Sequence, residues 1–272
     1  MPVNLLIVGG GKMGGALMGG LLASGWAQAT DLAVVEPDAG RRDELAAEFP
    51  GVRLFGVPEA GLLSDSGERL SGAVLAVKPD AAEGACRVLG AVGVTRVLSI
   101  VAGIPCARLE TALGGESKVV RAMPNTPALV RAGVTAISGG SFATSADLAW
   151  AEEVMAAVGT VVRLPERQLD PVTGLSGSGP AYFFLVAEAL IESGVQMGLT
   201  REISRTLVVQ TMLGSAKLLA ETGQDPEVLR AMVTSPAGTT AAGIRTLEAR
   251  AVRSAFMEAV ASATERARSL LR

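Results

Sequence analysis

Short, continuous apolar runs separated by segments of helical periodicity fill the first part of the chain. A run of this kind suits a strand that is covered on both faces of a parallel sheet. The predicted strands are Val3–Val8, Leu32–Val35, Ala73–Val77, Val97–Val101, Val119–Ala122, Thr135–Ser138 and Thr160–Arg163. The segment Phe49–Gly72 is broken by Gly and Pro, and we expect a connection with a short helix there. The alternation of strand and helix predicts an α/β, doubly wound domain of Rossmann type.

The character of the chain changes at Leu175–Tyr182, Leu-Ser-Gly-Ser-Gly-Pro-Ala-Tyr, after which the pattern is helical only. Pro180 suits the first helical position, with Ser178 or Gly179 as the cap before it. Gly194 predicts the end of this helix, because Gly is favoured where the backbone turns left-handed. The helix is apolar nearly all round, which predicts that a second helical layer or a second subunit covers it.

We place the domain boundary at Leu164-Pro165. Residues 1–164 then form the dinucleotide-binding Rossmann domain, and residues 165–272 form an all-α domain. A length of 272 residues favours two domains of unequal size, and an apolar fraction of 49% gives each of them material for a core.

A glycine-rich segment, Gly9-Gly10-Gly11-Lys12-Met13-Gly14, follows the first strand and opens a helix. In this G-x-G-x-x-G pattern the first glycine makes the tight turn, the second lets the backbone approach a pyrophosphate, and the third lets the helix pack against the strand. The N–H groups at the start of the helix then face the phosphates. The segment predicts dinucleotide binding, and the alternative is a simple turn.

The second strand ends at Glu36, close to the position where an acidic side chain commonly holds the adenosine ribose hydroxyls, and this spacing alone favours NADH over NADPH. Arg41 and Arg42 follow, and they would either meet the 2′-phosphate of NADPH or be solvated. The sequence therefore leaves the cofactor as NADPH or NADH.

Further loops follow the predicted strands at the carboxyl edge of the sheet, where ligands of doubly wound folds collect. We expect these residues to line the cofactor cleft: Ala76, Val77, Lys78, Pro79, Ala102, Gly103 and Asn125. The alternatives are an exposed lysine at a strand end for Lys78, and a stiff turn that merely stops a strand for the Pro-Asn-Thr-Pro segment around Asn125.

Composition excludes several classes of function. A net charge of −3 with no basic block argues against a nucleic-acid partner. No apolar run approaches the length of a bilayer span, and no basic leader precedes the first strand, so we expect a cytoplasmic protein without a membrane partner. Cys86 and Cys106 lack metal-type spacing, and we expect free thiols and no metal. The chain has no histidine, which excludes an imidazole acid or base, the serine and cysteine triads, and a histidine-ligated metal.

One loop of the helical part, Thr234-Ser235-Pro236-Ala237-Gly238-Thr239-Thr240, combines hydroxyl side chains with flexible and stiff backbone points. It is able to present O–H and N–H groups to a small anion, or it is only a turn with caps.

Taken together, five motifs resemble the pyrroline-5-carboxylate reductase family in order and spacing, almost from end to end. They are the glycine segment, Ala76-Val77-Lys78-Pro79, Arg121–Pro127, Gly174–Tyr182 and Ser235–Thr240.

This resemblance implies a Rossmann domain, a helical dimerisation domain, and a substrate site formed where two subunits interleave their helices. It implies a homodimer within a higher assembly, commonly a ring of five dimers, a decamer. The implied reaction is hydride transfer from NADPH or NADH to (S)-1-pyrroline-5-carboxylate, giving L-proline in the last step of proline biosynthesis. Such a reaction needs no histidine, because a protonated imine is already electrophilic and the protein chiefly aligns the reactants.

By the same resemblance, Thr240 and Ser235 are the catalytic residues. Thr240 places its hydroxyl near the ring nitrogen, while Ser235 and the N–H groups of Gly238 and Thr239 hold the substrate carboxylate. Glu166 is expected near the substrate. Two positions depart from the family pattern: Ala237 stands where a glycine is common, and Glu36 stands where Ser or Asn is common.

The alternatives come from different classes. A β-hydroxyacid dehydrogenase would carry a lysine in the helical turn after Gly-Ser-Gly, and Tyr182–Ala187 contains none. A related imine reductase would share the cofactor domain. A non-catalytic dinucleotide-binding sensor would keep the glycines without needing the hydroxyl residues of the 234–240 loop.

Overall fold

An eight-stranded sheet organises the first part of the chain in the computed structural model, which describes residues 5–57 and 70–269. The strands lie in the order β3-β2-β1-β4-β5-β6-β7-β8. Their bounds are β1 (Leu5–Val8), β2 (Leu32–Val35), β3 (Arg53–Phe55), β4 (Gly72–Leu75), β5 (Arg96–Ser99), β6 (Lys118–Met123), β7 (Gly133–Gly139) and β8 (Gly159–Arg163). The six strands β1 to β6 are parallel to one another, β7 is antiparallel to β6, and β8 is parallel to β7. The order reverses beside β1.

The central strands are apolar along their whole length because both faces of the sheet are covered. In β1 the side chains of Leu5 and Ile7 belong to one buried cluster, and those of Leu6 and Val8 belong to the other. Successive side chains of a strand point to opposite faces, so a continuous apolar run is what two cores require. The prediction of a strand covered on both faces is confirmed.

Helices supply the two covering layers. They are α1 (Lys12–Ala23), α2 (Ala39–Glu48), α3 (Ala82–Ala91), α4 (Cys106–Ala112) and α5 (Ser145–Ala156). Leu17 of α1 and Val154 of α5 lie in the first cluster, whereas Leu89 of α3 and Leu109 of α4 lie in the second. The predicted α/β Rossmann-type architecture is therefore confirmed.

One strand was not predicted. Arg53–Phe55 pairs in parallel with β2, in a segment where the sequence indicated a connection with a short helix. It has only three residues, none of them fully buried, so it lacks the continuous apolar run that marked the other strands. The part of that expectation that falls on residues 58–69 lies outside the described residues.

All further elements are helical. They are a short 3₁₀ turn (Glu166–Gln168), α6 (Leu169–Val172), a π-helical turn (Thr173–Gly177), α7 (Gly179–Gln196), α8 (Arg201–Thr222), α9 (Pro226–Met232), α10 (Thr239–Ala249) and α11 (Val252–Ser269). By compactness the chain divides into two units, Met1–Ser178 with Ala263–Arg272, and Gly179–Ser262. This division falls later than the predicted boundary at 164/165, which stays a prediction.

The start and end of α7 differ from the prediction. Ser178 has helical dihedral angles and donates its N–H to the Thr173 carbonyl, so the chain enters α7 from preceding helical residues rather than through a cap. Gly194 does not end the helix. A Cβ atom at Gly194 would lie 2.5 Å from the Ser204 hydroxyl oxygen, so this glycine permits close packing of α7 against α8. The left-handed residue after the helix is Gly198, with φ of 93°.

Large apolar side chains of α7 are exposed within the single chain. Phe183, Phe184 and Leu185 have exposed fractions of 65%, 64% and 65%. The helical layer of the same chain therefore does not provide the predicted cover for these side chains.

The segment Glu166–Gln196 is also long and apolar enough, by length and composition alone, to cross a membrane. The expectation that no apolar run approaches that length is wrong for this segment.

Candidate functional site

The predicted cofactor loops lie at one edge of the sheet. Strands β1, β4 and β5 are parallel neighbours, so the loops at Gly9, Ala76 and Ala102 leave the sheet at the same edge. The backbone ladder continues to this edge, where the Ala76 N–H donates to the Val8 carbonyl at 2.8 Å. The loops meet where the strand order reverses, which is the usual ligand position in doubly wound sheets.

Each glycine of the fingerprint has its own steric reason. Gly9 has φ of 107°, and a Cβ atom there would lie 2.5 Å from the Ala76 carbonyl oxygen. A Cβ atom at Gly14 would overlap the Gly9 carbonyl oxygen, so the helix packs against the turn only without a side chain. Nothing lies within 4 Å of a Cβ atom at Gly11. That open space, beside the first N–H groups of α1, fits an approaching pyrophosphate.

Glu36 is bound to the backbone of this loop. Its Oε2 accepts a hydrogen bond from the Gly10 N–H at 2.9 Å, and its Oε1 accepts one from the Asp38 N–H at 3.0 Å. The carboxylate therefore lies at the end of β2, beside the glycine loop. Hydrogen bonds from two N–H groups to an ionised carboxylate fix its position.

The two arginines that follow Glu36 are also bound to the protein. Arg41 Nε donates to the Gly10 carbonyl at 2.8 Å, and Arg41 Nη1 pairs with Glu44 at 2.7 Å. Arg42 Nη1 donates to the carbonyls of Glu36 and Pro37 at 2.7 and 2.8 Å. Sequence spacing gave no signal for these contacts, because they depend on how α2 packs beside the loop.

The remaining predicted cofactor residues surround this edge. Lys78 is exposed and precedes a short 3₁₀ turn (Pro79–Ala81), whereas Ala76 and Val77 are half-buried. Ala102 is half-buried, and Gly103 has φ of 81°, which favours glycine. Lys12 and Met13 form the first turn of α1. Their roles toward a cofactor stay predictions.

Asn125 joins two motifs that are distant in sequence. Its Nδ2 donates to the Ser176 carbonyl at 3.2 Å, and its Oδ1 accepts from the Val134 N–H at 3.0 Å. A Cβ atom at Gly177 would lie 2.8 Å from the Met123 Cε, so the π-helical turn rests closely on the end of β6. Both polar groups of the Asn125 side chain thus have protein partners, and its role toward a cofactor stays a prediction.

Glu166 lies in a partly buried ion pair. Its Oε1 accepts from the Cys106 N–H at 2.8 Å and pairs with Arg121 Nη1 at 3.3 Å. The Arg121 side chain is only 5% exposed. Because a buried charge is costly unless it is paired, the Glu166 carboxylate stabilises Arg121 in this position. No individual role for Arg121 was predicted from the sequence. A position of Glu166 near the substrate stays a prediction.

Both cysteines are free, as expected, and both are buried. Burial, followed by the nearby Glu83 carboxylate, raises the pKa of the Cys86 thiol to about 11. Burial and then the Glu166 carboxylate raise the pKa of Cys106 far above its ordinary value. Both thiols are protonated near neutral pH, and a protonated thiol is a poor nucleophile and a poor metal ligand. Within residues 5–57 and 70–269, no group of three or more acidic or cysteine side chains is placed to hold a metal ion.

The 234–240 loop of the helical unit forms a tight turn before α10. The Gly238 N–H donates to the Ser235 carbonyl at 3.1 Å, and a Cβ atom at Gly238 would overlap the Ser235 hydroxyl. Ala237 has φ of 56°, the left-handed region that favours glycine. Ser235 and Thr239 are exposed, and Thr240 is half-buried.

The first turn of α10 is open to an anion. Gly238 is the N-cap residue and has no side chain to accept from the first N–H groups of the helix. The N–H groups of Thr239 and Thr240 have no acceptor within the helix, because they belong to its first turn. Hydroxyl and N–H donors together at a helix N-terminus suit a carboxylate.

Comparison with known proteins gives a consistent result. Residues 166–270 match a family model described as pyrroline-5-carboxylate reductase dimerisation, and residues 4–103 match one described as NADP oxidoreductase, coenzyme F420-dependent. The chain is 41% identical over 274 residues to the pyrroline-5-carboxylate reductase of Synechocystis, with 99% of each chain covered. A Methanosarcina acetivorans protein of the same name is 41% identical, with 97% of this chain and 96% of the relative covered.

Solved structures agree with the sequence relatives. A pyrroline-5-carboxylate reductase from Coxiella burnetii superposes with a TM-score of 0.91 at 36% identity, and all of each chain is covered. The Plasmodium falciparum pyrroline carboxylate reductase, solved with NADP bound, gives a TM-score of 0.85 at 29% identity, covering 99% of this chain and 98% of that one. The similarity therefore extends over both units of the chain.

Proposed function

The chain belongs to the pyrroline-5-carboxylate reductase family, and on that basis we propose that it reduces (S)-1-pyrroline-5-carboxylate to L-proline. It is an oxidoreductase that uses NADH or NADPH, which supplies the hydride when bound. The observation that carries this proposal is the similarity along the full chain to relatives of that name, together with an open helix N-terminus at the hydroxyl loop. The reaction is the last step of proline biosynthesis, and we place it in the cytoplasm.

The glycine loop is the part of the chain that would hold the cofactor pyrophosphate. Gly11 leaves open space there, and the N–H groups at the start of α1 supply donors for the phosphate oxygens. Lys12 and the loops at Ala76–Pro79, Ala102–Gly103 and Asn125 complete the proposed cofactor site. The chain's own task is then to hold the dinucleotide in one orientation.

The 234–240 loop is the proposed substrate site. Ser235 donates its hydroxyl to the substrate carboxylate, and the N–H groups of Gly238 and Thr239 add backbone donors. Because the Gly238 N–H is already used within the turn, Thr239 contributes more than Gly238 does. Glu166 is proposed to lie near the substrate as well.

Thr240 is the proposed catalytic residue at the ring nitrogen. Its hydroxyl orients the imine nitrogen and passes a proton to it from solvent, because a hydroxyl both donates and accepts hydrogen bonds. A protonated imine accepts hydride at its C=N carbon without further activation. Positioning is therefore the main contribution of the protein, in agreement with the absence of histidine from the chain.

We propose that residues 165–272 act as a dimerisation and substrate domain and that the assembled enzyme is a homodimer within a ring of five dimers. The exposed Phe183, Phe184 and Leu185 support this proposal, because they lie in the part of the chain matched by the dimerisation model. A partner subunit, rather than a membrane, then covers the apolar segment Glu166–Gln196.

The assembly is tested by light scattering after gel filtration. The Phe184→Glu variant is expected to give a smaller particle than the wild type. Phe142 is also exposed but lies outside the residues matched by the dimerisation model, so Phe142→Glu is the control and should leave the size unchanged. A wild-type protein that elutes as a monomer would contradict the proposed dimer.

The function is tested by oxidation of NADH and of NADPH with racemic pyrroline-5-carboxylate and purified protein. We expect proline to form in amounts equal to the cofactor oxidised. Oxidation without proline, or no oxidation although cofactor binding is measurable, would remove this substrate and leave another cyclic imine as the alternative.

A further inference from the structure

The Gly10 peptide is held from both sides by charged side chains. Its N–H donates to Glu36, and its carbonyl accepts from Arg41 Nε. We propose that this arrangement makes the chain prefer NADH, with Glu36 as the residue that determines the preference. The inference rests on the proposed function, because it concerns the cofactor of that reaction.

The Glu36 carboxylate lies where the adenosine ribose of a dinucleotide is bound. It directly follows β2, the strand beside β1, and it contacts the glycine loop that would hold the pyrophosphate. At this position a carboxylate accepts hydrogen bonds from ribose hydroxyls, whereas it repels the 2′-phosphate of NADPH.

The carboxylate is also unable to turn away from a phosphate at low cost. Its two oxygens accept from two different N–H groups, those of Gly10 and Asp38, at 2.9 and 3.0 Å. Rotation of the side chain would break both bonds and leave the Gly10 N–H without its acceptor. The negative charge is therefore a fixed part of the ribose site.

The neighbouring arginines do not compensate for this charge. Arg41 is held by the Gly10 carbonyl and by Glu44, and a Cβ atom at Gly15 would lie 3.2 Å from its Nη2. Its guanidinium thus lies against α1. Arg42 donates to two backbone carbonyls at the end of β2. These contacts restrain both arginines on the protein side of the glycine loop.

This preference would differ from the cofactor found in one solved relative. The Plasmodium falciparum structure contains NADP, and the family model matched by residues 4–103 is described by NADP. Binding contacts to the nicotinamide and the pyrophosphate are shared by both cofactors. The two cofactors differ at the 2′-position of the adenosine ribose. We therefore expect that Glu36 alone is enough to make the chain prefer NADH over NADPH.

The test is the dissociation constant of NADH and of NADPH, measured separately by calorimetry without substrate. The wild type is expected to bind NADH at least about tenfold more tightly than NADPH. In Glu36→Gln the charge is lost but an acceptor for the Gly10 N–H remains, so NADPH binding should strengthen and the ratio should approach one. Asp43→Asn removes the same charge from an exposed position of α2 and should leave the ratio unchanged.

Arg41→Ala separates the two possible roles of that arginine. If Arg41 only supports the glycine loop, both dissociation constants should rise by a similar factor. A selective loss of NADPH binding would show that Arg41 is a phosphate ligand, and it would overturn the proposal. Tighter binding of NADPH by the wild type, or an unchanged ratio in Glu36→Gln, would overturn it too. Binding of neither cofactor would overturn the proposed function itself.

Discussion

The Asn125 side-chain amide donates a hydrogen bond to the Ser176 carbonyl oxygen at 3.2 Å. This carbonyl has no donor from the residue four positions later, because that residue is Pro180 and proline has no N–H. Asn125 therefore supplies the missing donor at the π-helical turn. π-Helical turns inside helices are frequent at functional sites. Here the turn is stabilised by Asn125, which follows the end of β6 and is distant in sequence.

Removal of the Asn125 side chain should destabilise the protein. Asn125→Ala leaves both the Ser176 carbonyl and the Val134 N–H without their partner, and we expect a loss of about 1–3 kcal/mol in the free energy of unfolding. Urea denaturation measures it. Thr126→Ala changes an exposed neighbour and serves as the control. Equal stability of Asn125→Ala and the wild type would show that water replaces the amide at this position.

Loss of the Glu166 side chain should destabilise the protein, because Arg121 then lacks its counter-charge. In Glu166→Ala the nearly buried guanidinium loses its partner and the Cys106 N–H loses its acceptor. Because the Glu166 side chain is 31% exposed, we expect a loss of about 2 kcal/mol, below the range for fully buried pairs. Thermal and urea unfolding both measure this change.

A matched control for Glu166 is the exposed ion pair of Glu152 with Arg163. Glu152→Ala should cost less than about 1 kcal/mol. Glu166→Gln keeps an acceptor for the Cys106 N–H and should fall between the two. If Glu166→Ala is as stable as Glu152→Ala, the Arg121 pair contributes no more to stability than an exposed ion pair does.

The strands of the sheet were predictable because their chemistry is local. Burial on both faces demands a continuous apolar run, and β1, β2 and β4 consist of such runs. The glycine fingerprint was readable for the same reason, since the positive φ of Gly9 and the close contact of Gly14 with the Gly9 carbonyl both belong to one strand–turn–helix unit. Arg53–Phe55 escaped prediction because an edge strand needs no such run.

The contacts of the candidate sites were not predictable, because they join residues far apart in the sequence. The Glu36 bond to Gly10 and the Asn125 bond to Ser176 depend on how strands and helices pack. Gly194 shows the same limit. Its position suggested a helix end, whereas its steric reason is the Ser204 side chain of the next helix.

Acid should destabilise the protein through Asp147. Burial raises the pKa of this carboxyl, but hydrogen bonds from Thr144 and the Arg96 guanidinium outweigh burial and hold the pKa below its ordinary value. A depressed pKa in the folded state stabilises the fold above the unfolded value of about 3.9. That contribution is lost as the pH falls through the folded pKa, so stability should fall below about pH 4.

The Asp147→Asn variant tests this contribution. We expect it to be less stable than the wild type by about 2 kcal/mol near neutral pH, because charge-assisted bonds to Arg96 and Thr144 are weakened. The difference should shrink below about pH 4, where the wild-type carboxyl becomes protonated. Urea denaturation from about pH 7 to 3 measures it, with the exposed Asp43→Asn as the control. A difference that is constant with pH would rule out Asp147 as the titrating group.

Two glycines of the fingerprint should respond differently to a methyl group. Gly11 has φ of −65° and open space around it, so Gly11→Ala should fold with wild-type stability. The added Cβ atom would occupy the space proposed for the pyrophosphate, and both NADH and NADPH should bind at least about tenfold more weakly. Calorimetry and thermal unfolding provide the two measurements.

Gly14→Ala is the contrasting variant. Its Cβ atom would overlap the Gly9 carbonyl oxygen, so it should lower stability by about 1–3 kcal/mol as well as weaken cofactor binding. Unchanged cofactor affinity in Gly11→Ala would mean that the pyrophosphate does not lie beside this loop.

The hydroxyl of Thr240 should matter for turnover and not for cofactor binding. Thr240 belongs to the helical unit, in the first turn of α10, whereas the glycine loop belongs to the sheet unit. We expect Thr240→Ala to lower kcat by well over tenfold, because a positioned proton-transfer group contributes about 10²–10⁴-fold to a rate. Steady-state kinetics with pyrroline-5-carboxylate and calorimetry with the cofactor measure the two effects. Thr240→Ser retains the hydroxyl and should recover most of the rate.

Thr246→Ala is the control on the same helix. The Thr246 hydroxyl donates to the Ala242 carbonyl at 3.2 Å on an exposed face, so its removal should leave kcat unchanged. A loss of kcat in Thr246→Ala equal to that in Thr240→Ala would indicate damage to α10 rather than loss of a reacting group. Full turnover in Thr240→Ala would remove Thr240 from the mechanism and leave Ser235 as the hydroxyl to test, since it lies in the same loop and is exposed.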